Sequence, residues 1–206
     1  RDRSANRWFV THAPATPDKV APVSAAIGAV IGMGIMVCFT YPLLGIYMIA
    51  MGTFHLLEFM VTAQCNKDKV NMSSFLLTNG IGYILAHVVA CSELFYRSAY
   101  KNEHNKVVSA IALAFVLGGQ LVRTLAMIQA AESFNHFVQV NKRPEHQLVK
   151  TGVYGIIRHP SYFGYYFWAI GTQLLVRNWL TFSVFAVALV IYFRQRVAPE
   201  EAALVR

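Results

Sequence analysis

The sequence predicts an all-α fold: a multi-pass integral membrane helix bundle with a polar loop on its cytosolic side. Three observations carry this. Charged residues make up 14% of the chain, against about 25% in typical soluble domains. Mean hydropathy is +0.43, and several almost uncharged runs are long enough to cross a bilayer core. The connections between those runs are short. Lipid offers the backbone no hydrogen-bond partners, so spans so joined must be helices rather than isolated strands.

Residues 1–20 (RDRSANRWFVTHAPATPDKV) read as a polar tail or loop, in which Trp8 and Phe9 are candidates for an interfacial anchor. Residues 21–206 form the membrane-embedded domain. Its first segment, about 21–40, is rich in Gly and Ala, and Gly28 and Gly32 form a G-x-x-x-G pattern that permits close helix packing. The second segment is about 42–62, the third about 74–96 and the fourth about 107–130. A fifth, about 162–176, is short and aromatic, and Arg177–Asn178 closes a tight hairpin to the sixth, about 179–193. The expectation is six spans, or five and a short re-entrant helix. The chain has no initiator Met and no cleavable signal pattern, and it reads as a fragment of something longer at both ends.

Net charge is +8. A basic balance suits nucleic acid, anionic lipid or an acidic ligand. The basic residues here fall in short loops between apolar runs rather than in one patch, which argues against nucleic acid. With six spans, thirteen of the 18 Lys and Arg lie on the side of both termini, residues 64–73 and the long loop 131–161. Four lie on the other side, and Arg123 is inside segment four. The positive-inside rule then puts the long loop in the cytosol. Cys38, Cys65 and Cys91 are widely spaced, with no C-x-x-C, and are expected as free thiols.

Ionisable residues inside spans cost several kcal/mol unless they are paired or face a cavity. His55 and Glu58, three apart on one helical face, suggest a satisfied interhelical polar contact. Glu93, near the end of segment three, suggests snorkelling to the interface. Arg123 is within a turn or two of the cytosolic face. Substrate-facing and structural roles both suit it.

The stretch 146–164, HQLVKTGVYGIIRHPSYFG, is neither a plain apolar helix nor a plain polar tail. It is preceded by FNHFVQ (134–139) and followed by a helix ending FRQR (193–196), with Glu200 and Glu201 beyond. Upstream stand FHLLEF (54–59) and SFLLTN (74–79). In this order and spacing, over roughly residues 42–201, the motifs resemble the isoprenylcysteine carboxyl methyltransferases. R-H-P-x-Y-x-G alone is shared with membrane phospholipid N-methyltransferases and some sterol reductases.

The resemblance implies an endoplasmic reticulum membrane enzyme with its active site facing the cytosol. It implies methyl transfer from S-adenosylmethionine to the C-terminal carboxylate of a prenylated cysteine. The partners implied are processed CaaX proteins such as Ras- and Rho-type GTPases, with membrane lipid around them. The loop 131–161 then becomes a cofactor-binding loop. By the resemblance, the cofactor contacts are Gln139, His146, Gln147, Leu148, Val149, Tyr154, His159, Pro160, Ser161, Tyr162 and Glu200, and Arg196 belongs to the substrate.

Physical chemistry suits this reading. A C-terminal carboxylate ionises near pH 3.5, so its methylation needs no general base. It needs alignment, dryness and a partner for the negative charge. A planar guanidinium is apt for that partner, which makes Arg196 and Arg123 the catalytic candidates. Tyr154 or Tyr162 offers a ring to an adenine or a sulfonium. Tyr165, Tyr166, Phe167 and Trp168 suit helix packing, and alternatively the wall of a prenyl tunnel. Pro160 suits the first turn of a helix. The histidines show no ligand spacing, so no metal is expected. A phospholipid N-methyltransferase, whose amine must lose a proton, and a non-catalytic scaffold are the alternatives.

Two departures stand out. Pro199 lacks the N–H that would bond Gln195, so a helix break near Val197 and a new helix from Pro199 are expected. The resembling family also continues into an acidic, aromatic helix and a Gly-Pro-Phe tail beyond Arg206. Without that tail, the cofactor pocket is expected to lack a wall.

Overall fold

The computed structural model describes residues 13–77, 81–98, 105–134 and 149–204. They form six α-helices: α1 (Pro17–Cys38), α2 (Pro42–Cys65), α3 (Ile81–Ser98), α4 (Lys106–Ala130), α5 (Pro160–Leu175) and α6 (Trp179–Leu204). Among the described residues there is no strand, only one isolated antiparallel bridge between Pro14 and Asn71.

Local chemistry sets the starts. Pro stands in the first turn of α1, α2 and α5, where its missing N–H costs nothing and its fixed φ suits a helix. Asn105 caps α4 by accepting from Val107 N at 3.0 Å and Val108 N at 3.2 Å. Before α3 the chain does not continue as helix from residue 74. Asn71 and Ser74 make a capping box around a 3₁₀ turn, Met72–Phe75, which Leu76 ends at φ 52°. The third helix therefore starts at Ile81, later than the apolar run suggests.

Helices α1, α2, α4 and α6 are long and apolar enough to cross a membrane. Their outward faces are apolar, with Met36 on α1, Leu117 and Leu121 on α4 and Val187 on α6 exposed. Lipid is the environment in which such faces are stable. Helix α5 has 16 residues, about 24 Å at 1.5 Å per residue, short of a hydrocarbon core about 30 Å thick. It is also the most enclosed helix, buried from Trp168 to Val176.

Glycine contacts set two helix pairs. A Cβ on Gly119 of α4 would stand 2.5 Å from Trp168 N and 2.6 Å from Gly164 O on α5. A Cβ on Gly164 would stand 2.6 Å from Arg123 N. Only glycine allows this approach. On α1 the expected packing pair, Gly28 and Gly32, meets nothing within 4 Å. Gly34 makes the contact instead, with its carbonyl 2.5 Å from the position of a Gly45 Cβ on α2. The α1–α2 hairpin turns a different face inward from the one the motif marks.

Polar side chains close the opposite end. Arg177 takes φ 61° in the α5–α6 turn and donates to Leu174 O (3.1 Å), Asn105 O (2.8 Å) and Ser109 Oγ (2.8 Å). Asn178 Nδ2 donates to Ala90 O at 2.8 Å. Glu93 does not snorkel outward. Its carboxylate accepts from Leu180 N at 3.0 Å and Thr181 N at 2.7 Å, capping α6 from α3. An anion at a helix N-terminus satisfies orphan N–H groups and the helix dipole together.

Helix α6 runs unbroken through Pro199 to Leu204, so the break expected near Val197 does not occur. At 26 residues it is about 39 Å long and outruns a bilayer core. The bond lost at Gln195 is offset by ties from Glu200 and Glu201 to the start of α5.

Candidate active site

Two polar constellations meet at the end of the bundle where α2 and α4 finish and α5 begins. The first is buried. Arg123, on the α4 turn after Gly119, is held close to α5 by the glycine contact. Its Nη2 donates to Glu58 Oε2 on α2 at 2.8 Å, and its Nε makes a short hydrogen bond to Glu58 Oε1. Its Nη1 donates to Ser161 Oγ at 2.9 Å and to Ser161 O at 3.2 Å. Arg123 is 6% exposed and Glu58 1%, so the pair is shielded from both lipid and water. The rings of Phe54 and Tyr165 lie 5.6 Å and 5.2 Å from its Cζ, within cation–π range. Next to Glu58, His55 Nδ1 is 2.9 Å from Phe75 O. A carbonyl only accepts, so Nδ1 carries the proton there.

The second constellation joins the start of α5 to the end of α6. His159, the residue before Pro160, donates from Nε2 to Glu201 Oε1 at 2.7 Å, and its Nδ1 lies 3.7 Å from Glu200 Oε2. Tyr162 Oη donates to Glu200 Oε1 in a short hydrogen bond. The Tyr162 ring stacks against His159 at 5.9 Å and Phe193 at 4.8 Å. Arg158 Nη2 pairs with Glu201 Oε2 at 2.7 Å, at an exposed position. One turn before Glu200, Arg196 places its Cζ 5.1 Å from the Tyr192 ring centroid, and its charge acts on Tyr162.

Tyr154 comes from a 3₁₀ turn, Gly152–Gly155, docked on the end of α4. Gly152 takes φ 59° over the Gln129 side chain, which accepts from Val153 N at 2.9 Å. Tyr154 Oη donates to Ala126 O at 3.2 Å. Burial pushes its pKa up to about 12, so the phenol is neutral and a donor at any physiological pH. The charges of Arg123 and Glu200 both act on it.

Of the residues singled out from the sequence, the structure therefore brings Tyr154, His159, Ser161, Tyr162, Glu200, Arg123 and Arg196 to one end of the bundle. Pro160 is buried at the start of α5, and Val149 is half-buried where the described loop resumes. Gln139, His146, Gln147 and Leu148 lie outside the described residues. Sequence reasoning did not join Glu58 to Arg123. The available signal was that each is a charge in an apolar helix in need of a partner. It also gave no role to Arg158, to Phe193 or to Glu201 as the partner of His159. Among the described residues, no three His, Cys, Asp or Glu converge on a possible metal position.

Fold and site together define an all-helical, multi-span membrane protein in which His159, Tyr162, Glu200 and the Glu58–Arg123 pair share one end of the bundle. The profile of the isoprenylcysteine carboxyl methyltransferase (ICMT) family matches residues 111–206. The protein-S-isoprenylcysteine O-methyltransferase of Saccharomyces cerevisiae is 37% identical over 197 residues, covering 91% of this chain and 82% of the relative. The Homo sapiens enzyme of the same name is 33% identical over 192 residues, covering 91% and 68%. The solved eukaryotic intramembrane Ras methyltransferase ICMT superposes with a TM-score of 0.83 at 33% identity, over 88% of this chain and 67% of that one. The chain belongs to the isoprenylcysteine carboxyl methyltransferase family.

Proposed function

We propose that this chain methylates the C-terminal carboxylate of a prenylated cysteine, with S-adenosylmethionine as the methyl donor. Family membership supports the reaction. The observation that carries the site is the meeting of two helix ends: His159 and Tyr162 at the start of α5 stand against Glu200 near the end of α6. Processed CaaX proteins of the Ras and Rho type are the proposed substrates. The proposed setting is the endoplasmic reticulum membrane with this end toward the cytosol, which the Lys and Arg distribution supports.

The residues present suit the donor. S-adenosylmethionine carries an ammonium, a carboxylate, a ribose and an adenine. The Glu200 carboxylate offers an acceptor, His159 and Tyr154 offer polar hydrogen-bonding groups, and the stacked Tyr162 ring offers an aromatic face. By the resemblance, Val149, Pro160 and Ser161, with Gln139, His146, Gln147 and Leu148, complete the proposed donor contacts. When bound, the cofactor supplies a methyl group made electrophilic by its sulfonium.

The chain's own groups do the rest. Arg196 pairs with the substrate carboxylate and aims it. One carboxylate oxygen must stay free, because a guanidinium holding both would blunt the nucleophile. No residue need take a proton, since the carboxylate is ionised at neutral pH. The apolar helices around α5 exclude water, which lengthens the reach of every charge in the site. A farnesyl or geranylgeranyl chain enters laterally from the bilayer, since crossing water would forfeit the burial of its apolar surface.

The test is methyl transfer from isotopically labelled S-adenosylmethionine, in nanodiscs, to N-acetyl-S-farnesylcysteine or to phosphatidylethanolamine. A base-labile methyl ester on the first is the expected product. A base-stable N-methyl label on the lipid would point to the N-methyltransferase reading. No label and no cofactor binding would point to a scaffold.

A further inference from the structure

Glu58 belongs to neither half of the proposed reaction, yet it is among the most deeply buried charged residues described. It lies on α2, one turn from Phe54, whose ring packs against Trp168 and Tyr165 of α5. Both of its oxygens are spent on Arg123, through Nε and Nη2. That grip fixes the plane of the guanidinium, which Phe54 and Tyr165 also border. The remaining nitrogen, Nη1, is thereby aimed at one residue, Ser161, whose hydroxyl and carbonyl it holds at 2.9 Å and 3.2 Å. Ser161 is the second residue of α5. His159, two residues before it, and Tyr162, the next residue, are the groups that meet Glu201 and Glu200. One turn on, Gly164 lies against the Arg123 backbone.

We propose that Glu58 is a positioning residue: acting through Arg123 and Ser161, it fixes the first turn of α5 and so sets where His159 and Tyr162 stand against α6. The chain of contacts crosses three helices, α2 to α4 to α5, and each link is a charge-assisted hydrogen bond, the strongest type available to neutral-pH side chains. A guanidinium without Glu58 would still be buried, but it would be free to swing toward other acceptors, and its hold on α5 would go with it. The consequence for methyl-donor affinity rests on the function proposed above. The consequence for the geometry of α5 does not.

Two readouts on the full chain in nanodiscs separate these. Hydrogen exchange without ligand is followed at the amides of Phe163, Gly164 and Tyr165, which carry the first helical bonds of α5. KM is measured separately for S-adenosylmethionine and for N-acetyl-S-farnesylcysteine. Glu58→Gln keeps the shape and removes the charge. It should speed exchange at those three amides about ten-fold or more, and leave the α1–α2 hairpin unchanged. It should raise KM for S-adenosylmethionine about ten-fold, with KM for the prenylcysteine changed by less than about two-fold. Glu58→Asp, which keeps the charge, should recover part of both effects. Ser161→Ala removes the hydroxyl half of the last link, leaving the bond to the residue 161 carbonyl, and should act in the same direction more weakly. Combined with Glu58→Gln it should add almost nothing, because the two lie on one path.

A merely structural Glu58 would lower the folded, active fraction, and hence kcat, with both KM values intact. That result, or unchanged exchange in α5, or additive effects in the double variant, would overturn the proposal. Should Glu58→Gln fail to fold, Ser161→Ala alone decides, since it leaves the Glu58–Arg123 pair in place. An unaltered α5 in that variant would refute the path through the Ser161 hydroxyl. If the wild-type chain transfers no methyl group, the functional reading falls, while the exchange experiment still decides the positional claim.

Discussion

Glu58 on α2 and Arg123 on α4 are 65 positions apart and share two buried hydrogen bonds beside the first turn of α5, with the Arg123 Nη2 to Glu58 Oε2 contact at 2.8 Å. Neither charge is tolerable alone. Removing one partner of a buried pair leaves the other uncompensated, at a cost of about 3–5 kcal/mol. Arg123→Leu is therefore expected to lower the thermal unfolding midpoint of the protein in detergent by several degrees. Arg123→Leu with Glu58→Leu should restore much of that loss, because an apolar pair leaves no orphan charge. A double variant no more stable than the single one would contradict the pairing as the source of the effect.

The approach of α4 to α5 at Gly119 and Gly164 predicts a steric penalty. Gly119→Leu must force backbone atoms now 2.5 to 3.0 Å from the site of its Cβ to move. Overpacking of this kind costs about 1–3 kcal/mol or more. Gly28→Leu meets open space and should be tolerated. Parallel thermal unfolding of the two variants checks this, and equal destabilisation would refute the packing assignment.

At the far end, Glu93 caps α6. Glu93→Ala is expected to cost about 0.5–2 kcal/mol, the usual range for a lost helix cap. Faster hydrogen exchange confined to the first turn of α6 would locate the effect. No change there would mean that the cap is idle.

His159 and Tyr162 are assigned to the methyl donor. His159→Ala should weaken binding of S-adenosylhomocysteine, measured by calorimetry, by about ten-fold or more, as expected for a hydrogen bond involving a charged group. Unchanged affinity would remove His159 from that role.

The all-helical, multi-span class was legible because hydropathy reports the solvent, and the solvent dictates the helix. The finer geometry was not. Gly28 and Gly32 make a better motif than Gly34 and Gly45, but the rotation of α1 about its axis decides which glycines meet a neighbour, and that rotation is a property of the whole hairpin. Glu93 looks like a snorkelling residue from its own helix. Its partner, the N-terminus of α6, lies 87 positions away. Pro199 signals a break by every local rule, yet Glu200 and Glu201 are held by Tyr162, His159 and Arg158, and these tertiary ties keep the helix intact. Local pattern misleads here because the deciding interaction is remote in sequence. At the site, the ordered motifs identified the start of α5 and the end of α6, while the Glu58–Arg123–Ser161 path needed coordinates.

The central claim is a division of labour across one junction, with the start of α5 for the methyl donor and Arg196 for the substrate acid. Arg196→Ala, assayed for both S-adenosylhomocysteine affinity and turnover of N-acetyl-S-farnesylcysteine, tests it most directly. The account predicts that turnover is lost by about 100-fold or more while cofactor affinity stays within about two-fold of wild type. Retained turnover, or a parallel loss of cofactor affinity, would contradict it.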